Sequence, residues 1–463
     1  MDIEPAQLNK TRNILTGLVL ASGGFFFGYH IGVLNPLGEV LLVDVYNLSG
    51  QRKIDVNGLL NSLFCIGVMI GVLGTGVLAD KIGRRPVYYA SDFVAIIGAG
   101  LFLVQKLEVL YLARFVIGLA SGLMMPSSSI IMSELLPKSV SGFSNSFTYS
   151  FLVFAILVSY LTPYVFTNQQ LKEHHGLIMA FPVWSNVLKL ILTPIFLKSE
   201  TPKYVFLSAG EDKSNIKEKI ANVYSSIYEA SAIEALTAET IESFEKQEMA
   251  GKPTWGAMFS EQYRKRTISG VFVAFAQQIS GINFLVFYSS ELFKSLGKSA
   301  IMTVVIGLAN FFGSFLAVYA VGKFGRKFNI VWGVLFQAFG MFLLFLGFQL
   351  NNFEILAASV TIFVMFFAVG LGGSQMAYTS EILPPAGISI ALAVQWILTA
   401  AIGQFLPNLM SVFGGSSLIL FFTIACAVFF LGADYLMIET KGKSEDQISN
   451  EFELRNYTFL NFK

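Results

Sequence analysis

The chain has 463 residues, of which 54% are hydrophobic and only 13% are charged, and its formal net charge at pH 7 is +1. Because a soluble domain has about twice this charged fraction, the composition excludes an ordinary soluble protein, and the small net charge gives no indication of a nucleic-acid partner. The two cysteines lie in apolar segments without disulfide or zinc-ligand spacing, so no metal or cofactor is predicted.

Apolar segments long enough to cross about 30 Å of hydrocarbon occupy most of the chain. The first has no short apolar core followed by a small-residue cleavage site, so we expect a membrane span there and not a removable signal. Twelve spans are predicted, six on each side of a polar segment at 199–266: 13–36, 57–79, 86–105, 109–132, 143–166, 177–198, 267–290, 299–321, 328–349, 353–377, 386–410 and 415–438.

Lysine and arginine near the span ends predict the orientation in the membrane. With the N-terminus inside, eleven basic residues lie in inner loops and tails: Lys10, Arg12, Lys81, Arg84, Arg85, Lys138, Lys323, Arg326, Lys327, Lys441 and Lys443. Six lie in outer loops: Arg52, Lys53, Lys106, Lys172, Lys294 and Lys298. We therefore expect both termini and the segment 199–266, which is rich in helix-forming residues, in the cytosol.

Three motifs occur twice in the same order, and their offsets are similar: 242, 247 and 239 residues (321 − 79, 380 − 133 and 438 − 199). The pairs are ADKIGRRP with VGKFGRKF (79–86 and 321–328), SELLP with SEILP (133–137 and 380–384), and SETPK with IETKG (199–203 and 438–442). A nearly constant offset indicates two copies of a six-span unit in the same orientation. The expected fold is an all-α membrane protein: a bundle at 1–198, a cytosolic helical linker at 199–266, a second bundle at 267–440 and a cytosolic tail at 441–463.

The repeated charges suggest a latch at the cytosolic ends of the spans. Each copy has basic residues between its second and third spans and a glutamate at the inner end of its fourth. We expect Glu134 to pair with Arg84 or Arg85, and Glu381 with Arg326 or Lys327, and the repeated Glu200 and Glu439 to belong to the same network. Such pairs could hold span ends together and release them as the two halves rock; the alternative is that they only set the topology.

The repeated DKIGRR and GKFGRK resemble the signature of the major facilitator superfamily. QQISGINFLVFYS (277–289), SETPKY (199–204) and IETKGKS (438–444) resemble motifs of its sugar porter branch, and the resemblance covers nearly the whole chain. It implies two six-helix bundles, a cytosolic helical insert and one central sugar site that opens alternately to each side of the membrane.

The resemblance also implies the residues that bind the sugar. Amide side chains both donate and accept hydrogen bonds, as sugar hydroxyls do. The residues that the resemblance implies, or that lie at the positions of the family's sugar-binding residues, are Gln277, Gln278, Asn283, Asn310, Trp396, Tyr149, Gln395 and Met376. On one continuous helix, positions 278 and 282 would share a face. The alternative is that these amides only bond neighbouring helices, and that Trp396 is an ordinary bundle aromatic.

Several positions depart from the family pattern. Tyr149 replaces a glutamine, Ala368 a glutamate and Met376 a tryptophan, and the usual prolines of the tenth span are missing, which leaves its breakable helix in question. The arginine seven residues after each latch glutamate is replaced by Ser141 and Ile388.

A further departure concerns energy coupling. His30 lies where proton-driven members carry aspartate and passive members typically carry asparagine, and Arg114 is its usual neighbour in the family. Burial and the like charge of Arg114 favour a neutral imidazole, which would resemble asparagine, although histidine can still titrate. Lys189, in the sixth span, has no role that the sequence explains.

The leading hypothesis is therefore a facilitative transporter of a hexose-like sugar, not an enzyme, that works by alternating access in a lipid bilayer. The alternatives are a proton-coupled sugar symporter and a transporter-like protein that serves as a structural subunit or sensor. The plasma membrane is favoured and an organelle membrane is an alternative. The sequence predicts neither the particular sugar nor the oligomeric state.

Overall fold

The computed structural model describes residues 6–210, 213–251 and 253–455. They fold as helices joined by short loops, with one isolated antiparallel bridge between Gln7 and Tyr228. The helices before the linker are α1 Lys10–Ala21, α2 Gly23–Gly32, α3 Leu34–Glu39 with a π-helical continuation at Val40–Val45, α4 Gly50–Ile82, α5 Arg84–Leu101, α6 Leu107–Leu135, α7 Lys138–Tyr160, α8 Thr162–Val165, α9 Asn168–Ala180 and α10 Val183–Phe196.

The linker and the second half are helical as well. Their helices are α11 Pro202–Ser208, α12 Ile216–Tyr224, α13 Ala230–Ala250, a short 3₁₀ turn at Gly256–Phe259, α14 Glu261–Ile279, α15 Ile282–Leu292, a 3₁₀ turn at Lys294–Leu296, α16 Ser299–Phe324, α17 Arg326–Leu350, α18 Phe353–Phe367, a π-helical segment at Ala368–Gly372, α19 Gly373–Ile382, α20 Pro385–Phe413, α21 Gly415–Leu436 and α22 Glu445–Leu454. The predicted tail at 441–463 thus contains one short helix, and its residues 456–463 lie outside the described part.

Eleven helical segments of the described chain are long and apolar enough to cross a membrane. They correspond to eleven of the twelve predicted spans. The predicted third span is α5, which is helical over 18 residues but carries Arg84, Arg85 and Asp92 and is therefore less apolar than the others. The seventh span begins at Glu261, inside the predicted linker, because α14 extends beyond its apolar part.

The contacts within the described chain form two compact units. Unit 1 consists of the described residues within Met1–His30, Ile66–Ala155 and Gly176–Lys252. Unit 2 consists of those within Ile31–Cys65, Ile156–His175 and Pro253–Lys463. Two segments of the first predicted six-span unit, 31–65 and 156–175, therefore belong to unit 2. The six-plus-six division remains a prediction from the repeat.

Glycine residues lie where helices of the same unit pack closely together. In unit 2 a Cβ atom on Gly58 of α4 would lie 2.5 Å from the main-chain oxygen of Gln404 in α20. In unit 1 a Cβ on Gly122 of α6 would lie 2.2 Å from the main-chain oxygen of Val68 in α4. Small residues at such contacts let membrane helices approach closely, where van der Waals packing provides much of the association energy.

Candidate functional site

An amide cluster lies in unit 2, where the seventh span is interrupted. Asn283 Nδ2 donates to Gln278 Oε1 at 2.5 Å, and Gln278 Nε2 donates to Gln277 Oε1 at 3.1 Å. Thr399 of α20 donates to the same Gln278 oxygen at 2.8 Å. Gln277 Nε2 in turn donates to the main-chain oxygen of Leu371 at 3.3 Å. The seventh, tenth and eleventh spans are thus joined by one chain of hydrogen bonds.

The break in the seventh span brings these amides together. The helix ends at Ile279 and restarts at Ile282, and Gly281 between them has φ of 99°. A Cβ on Gly281 would lie 2.6 Å from Met341 Cε and 2.9 Å from Phe422 Cγ. Only glycine accepts both the left-handed backbone and this contact. The expectation that positions 278 and 282 share one helical face was wrong, because they lie on different helices.

The tenth span is irregular although it lacks the family's prolines. Its π-helical segment Ala368–Gly372 interrupts the regular helix and contains Leu371, the acceptor for Gln277. Single-turn π segments of this kind are frequent at functional sites. Ala368 is fully buried, and a Cβ on Gly313 of α16 would lie 2.8 Å from its own Cβ. A glutamate at this position would therefore not fit the observed packing.

The other implied sugar residues of unit 2 differ in their surroundings. Asn310 is buried, and its Oδ1 has no hydrogen-bond partner among the described residues. The same holds for Oε1 of Gln395, one turn before Thr399 on α20. Trp396 is partly buried, whereas Met376 is 46% exposed. Asn310 and Gln395 therefore keep acceptor oxygens that a ligand hydroxyl could use.

In unit 1, Tyr149 is a partly buried residue of α7. His30, the last residue of the first segment of unit 1, is fully buried among aromatic rings, with ring centroids of Phe26 and Phe102 at 4.7 and 5.6 Å. Neither of its ring nitrogens has a hydrogen-bond partner among the described residues. Arg114 Nη1 donates 2.9 Å to the main-chain oxygen of His30. The contact that joins these two residues is thus made by the backbone of His30.

Lys189, which the sequence left unexplained, forms an ion pair inside unit 1. Its Nζ lies 2.8 Å from Oδ1 of Asp92 on α5, and both side chains are almost completely buried. The ammonium also lies 4.5 Å from the centroid of the Tyr88 ring. Sequence reasoning missed Asp92, although it is the acidic residue that makes α5 less apolar than the other spans.

The charged motif of the first half forms a compact network. Arg84 Nε lies 3.0 Å from Oε2 of Glu134, and Arg84 Nη2 lies 3.2 Å from Oε1 of the same carboxylate. Thr201 donates to Glu134 at 2.6 Å. Glu200 accepts the main-chain N–H groups of Arg84 and Arg85, at 3.3 and 3.0 Å. An acidic side chain thus caps the N-terminus of α5, where the helix dipole favours negative charge.

The second half repeats this arrangement, but Glu381 accepts fewer hydrogen bonds than Glu134 does. Arg326 Nη2 lies 2.6 Å from Glu381 Oε1, and Glu439 accepts the main-chain N–H of Arg326 at 2.9 Å. Within the described residues, Arg326 Nε, Glu381 Oε2 and the hydroxyl of Thr440 have no hydrogen-bond partner. Lys327 pairs with Asp434 at 3.0 Å.

Both glycines of the repeated motif make room for the capping glutamate. Gly83 and Gly325 have φ of 104° and 97°. A Cβ on Gly83 would lie 2.6 Å from Glu200 Oε1, and one on Gly325 would lie 2.7 Å from the Glu439 carboxylate. The repeat in the sequence is therefore a repeat of one local geometry.

Residues 16–452 match the family model described as "Sugar (and other) transporter". The chain belongs to this family. As a sugar porter of the major facilitator superfamily it is an integral membrane transporter and not an enzyme. It is 28% identical over 476 residues to facilitated glucose transporter protein 1 of Caenorhabditis elegans, covering 95% of this chain and 90% of the relative. It is 26% identical over 467 residues to glucose transporter GlcP of Staphylococcus epidermidis, covering 97% and 99%.

Solved structures show the same fold. The proton:xylose symporter XylE bound to 6-bromo-6-deoxy-D-glucose superposes with a TM-score of 0.77 at 23% identity, covering 96% of this sugar porter and 100% of that chain. The inward-open conformation of XylE from E. coli gives a TM-score of 0.77 at 21% identity, covering 95% and 99%. These similarities confirm the predicted helical major facilitator fold.

Proposed function

We propose that this sugar porter carries a neutral hexose-like sugar down its concentration gradient by alternating access. The observation that supports the substrate class is the amide cluster of Gln277, Gln278 and Asn283. Its members already bond one another, so their geometry is set before a ligand arrives. The buried acceptor oxygens of Asn310 and Gln395 remain for hydroxyl groups. Amides and hydroxyls match the donors and acceptors of a polyol and do not require a charged ligand.

The surroundings of His30 support passive transport over proton coupling. An imidazolium would need an acceptor for each N–H, and neither ring nitrogen has one among the described residues. Aromatic rings pack around it, and its link to Arg114 uses the main-chain oxygen, which does not titrate. The position is therefore suited to a permanently neutral side chain, as asparagine is in passive members of the family.

We further propose that both termini and the linker helices lie in the cytosol and that the plasma membrane is the site of action. The excess of basic residues in the inner loops supports this orientation. In it, the Arg84–Glu134 and Arg326–Glu381 pairs lie at the cytosolic ends of their spans and act as latches. Tyr149, Trp396 and Met376 would tune which sugar is accepted.

Counterflow into proteoliposomes, with a panel of hexoses, pentoses and polyols, tests the proposal. We expect one or more hexoses to exchange, and no accumulation against a gradient when one side is acidified. Accumulation driven by acid would show proton coupling. A purified, monodisperse protein that exchanges no member of the panel would indicate a structural subunit or sensor. Phe405→Leu, at an exposed residue of α20, serves as a control that should leave exchange unchanged.

A further inference from the structure

A cavity of about 240 Å³ lies in unit 2, lined by Ser299 and Ala300 at the start of α16, whereas Arg326 follows the other end of that helix. One wall comes from α3 and includes Asn35 and Glu39. The facing wall comes from the end of α15 and the turn after it, and includes Ser290 and Lys294. Its volume is below the roughly 300–1,000 Å³ of sites for drug-sized ligands, so it suits a ligand no larger than a monosaccharide.

Hydrogen bonds of Asn35, a lining residue, join α3 to α15. Asn35 Nδ2 donates to the main-chain oxygen of Val286 at 2.8 Å and to the hydroxyl of Ser289 at 2.7 Å. Asn35 Oδ1 accepts the main-chain N–H of Ser290 at 2.9 Å. Tyr160 of α7 donates to the same Val286 oxygen at 2.8 Å. The cavity in this form therefore exists only while α3 and α15 are held together.

The charges on the cavity walls cancel. Glu39 lies between two lysines, 2.5 Å from Lys53 Nζ and 2.8 Å from Lys294 Nζ. Glu291 lines the same cavity, which makes two cationic and two anionic side chains. Asn57 adds an amide. Such walls present both donors and acceptors without a net charge, which favours a neutral polar ligand over an anion or a cation.

Apolar side chains complete the lining. Leu34, Pro36, Pro163 and Phe287 contribute to the walls. A pyranose ring has hydroxyls at its rim and C–H groups on its faces, so it can meet polar and apolar walls at once. A carboxylate or phosphate group would find equal attraction and repulsion here.

We propose that this cavity is a second sugar-binding site, separate from the amide cluster, and that its occupancy holds this end of unit 2 closed. The identity of the ligand as a hexose rests on the proposed function. A ligand that touches both walls binds only when they are together, and it therefore shifts the population toward that state. Sugar at high concentration on this side would thus slow the transport cycle.

Protection of an introduced thiol tests the proposal directly. Ser290→Cys places a thiol in the cavity wall, in a Gln278→Ala/Asn283→Ala background that weakens the amide site. Cys65 and Cys426 are buried and should not react. Ser411→Cys, exposed near the end of α20, is the matched control thiol outside the cavity. The probe is D-glucose, with sodium gluconate as the anionic comparison, and the rate of maleimide labelling is measured in nanodiscs.

We expect D-glucose at twice its dissociation constant to slow labelling of Ser290→Cys by about threefold, as mass action requires, and to leave Ser411→Cys unchanged. Gluconate should protect less. Adding Asn57→Leu, or the milder Glu291→Gln, should reduce the protection. An unchanged Ser290→Cys rate, or equal slowing of both thiols, would overturn the inference. Because the readout is binding in a weakened-transport background, hexose counterflow by the wild type without protection would overturn this inference and leave the proposed function standing.

Discussion

Lys189 Nζ and Asp92 Oδ1 lie 2.8 Å apart inside unit 1, and each side chain is at most 2% exposed. The pair connects α5 with α10, and Asp92 Oδ2 has no other partner among the described residues. A carboxylate buried without its cation is costly, whereas a buried pair replaced as a whole by apolar residues often costs little. The two residues should therefore matter as a pair.

We predict that Lys189→Met destabilises the protein by about 3–5 kcal/mol, because it leaves Asp92 buried and unpaired. Lys189→Met combined with Asp92→Leu should recover most of that loss. Thermal unfolding in nanodiscs measures both variants, and Lys172→Met, an exposed lysine on α9, is the control. Equal destabilisation by the single and the double variant would show that the ion pair does not determine the cost.

Gln278 accepts hydrogen bonds from both Asn283 and Thr399, so it should be the most sensitive member of the amide cluster. We predict that Gln278→Ala or Asn283→Ala lowers sugar affinity roughly 2- to 12-fold, from about 0.5–1.5 kcal/mol for each neutral hydrogen bond. The measurement is the concentration dependence of counterflow. Gln337→Ala, at a buried amide of α17 outside the cluster, is the control and should lower the affinity less. Unchanged sugar affinity in both cluster variants would show that the sugar does not bind at this site.

Gly281 and Gly297 offer a matched test of the helix break, because both have positive φ. A Cβ on Gly297 would meet no atom within 4 Å. Gly297→Ala should therefore lower the free energy of unfolding only by the strain of a left-handed backbone at alanine, about 1–2 kcal/mol. Gly281→Ala must also displace Met341 and Phe422, so we expect a further loss of about 1–3 kcal/mol. Thermal unfolding and counterflow measure the difference. Similar losses in the two variants would mean that the contacts at Gly281 relax without cost.

The two latch pairs should contribute unequally, because Glu134 has three hydrogen bonds from Arg84 and Thr201, and Glu381 has one from Arg326. The measured quantity is the rate at which a reporter cysteine is labelled from the linker side. We predict that Glu134→Gln increases this rate roughly three- to tenfold, and that Glu381→Gln increases it less. Ser389→Cys, eight residues after Glu381 and half-buried, is the reporter.

Restoring the missing arginines should act in the opposite direction. Ser141→Arg with Ile388→Arg adds partners to both glutamates, and a charge network shifts an equilibrium by its difference between the two states. We therefore expect slower labelling of the same reporter. Equal rates in the wild type and in all these variants would mean that the glutamates only set the topology.

The amino-acid sequence alone determined the class of the fold, the spans and the repeated charged motifs. Membrane spans can be predicted from the sequence because no backbone polar group can be left unpaired in hydrocarbon, so the chain crosses it as long apolar helices. The repeated glycines and glutamates could be found in the sequence because their motifs recur at a nearly constant offset. The position of Gly83 beside Glu200, and of Gly325 beside Glu439, depends on one backbone geometry that only glycine permits.

Tertiary structure alone decided how the polar residues inside the spans are used. Lys189 is an isolated charge in the sequence, since its partner Asp92 is 97 residues away and carries no motif. The break at Gly281 depends on Met341 and Phe422 from other helices, so a continuous helix was the natural expectation from local propensity. Likewise the π-helical segment at Ala368–Gly372 forms without proline, where Gly313 brings α16 close to Ala368. These features arise from contacts between distant segments, and no spacing within a single span encodes them.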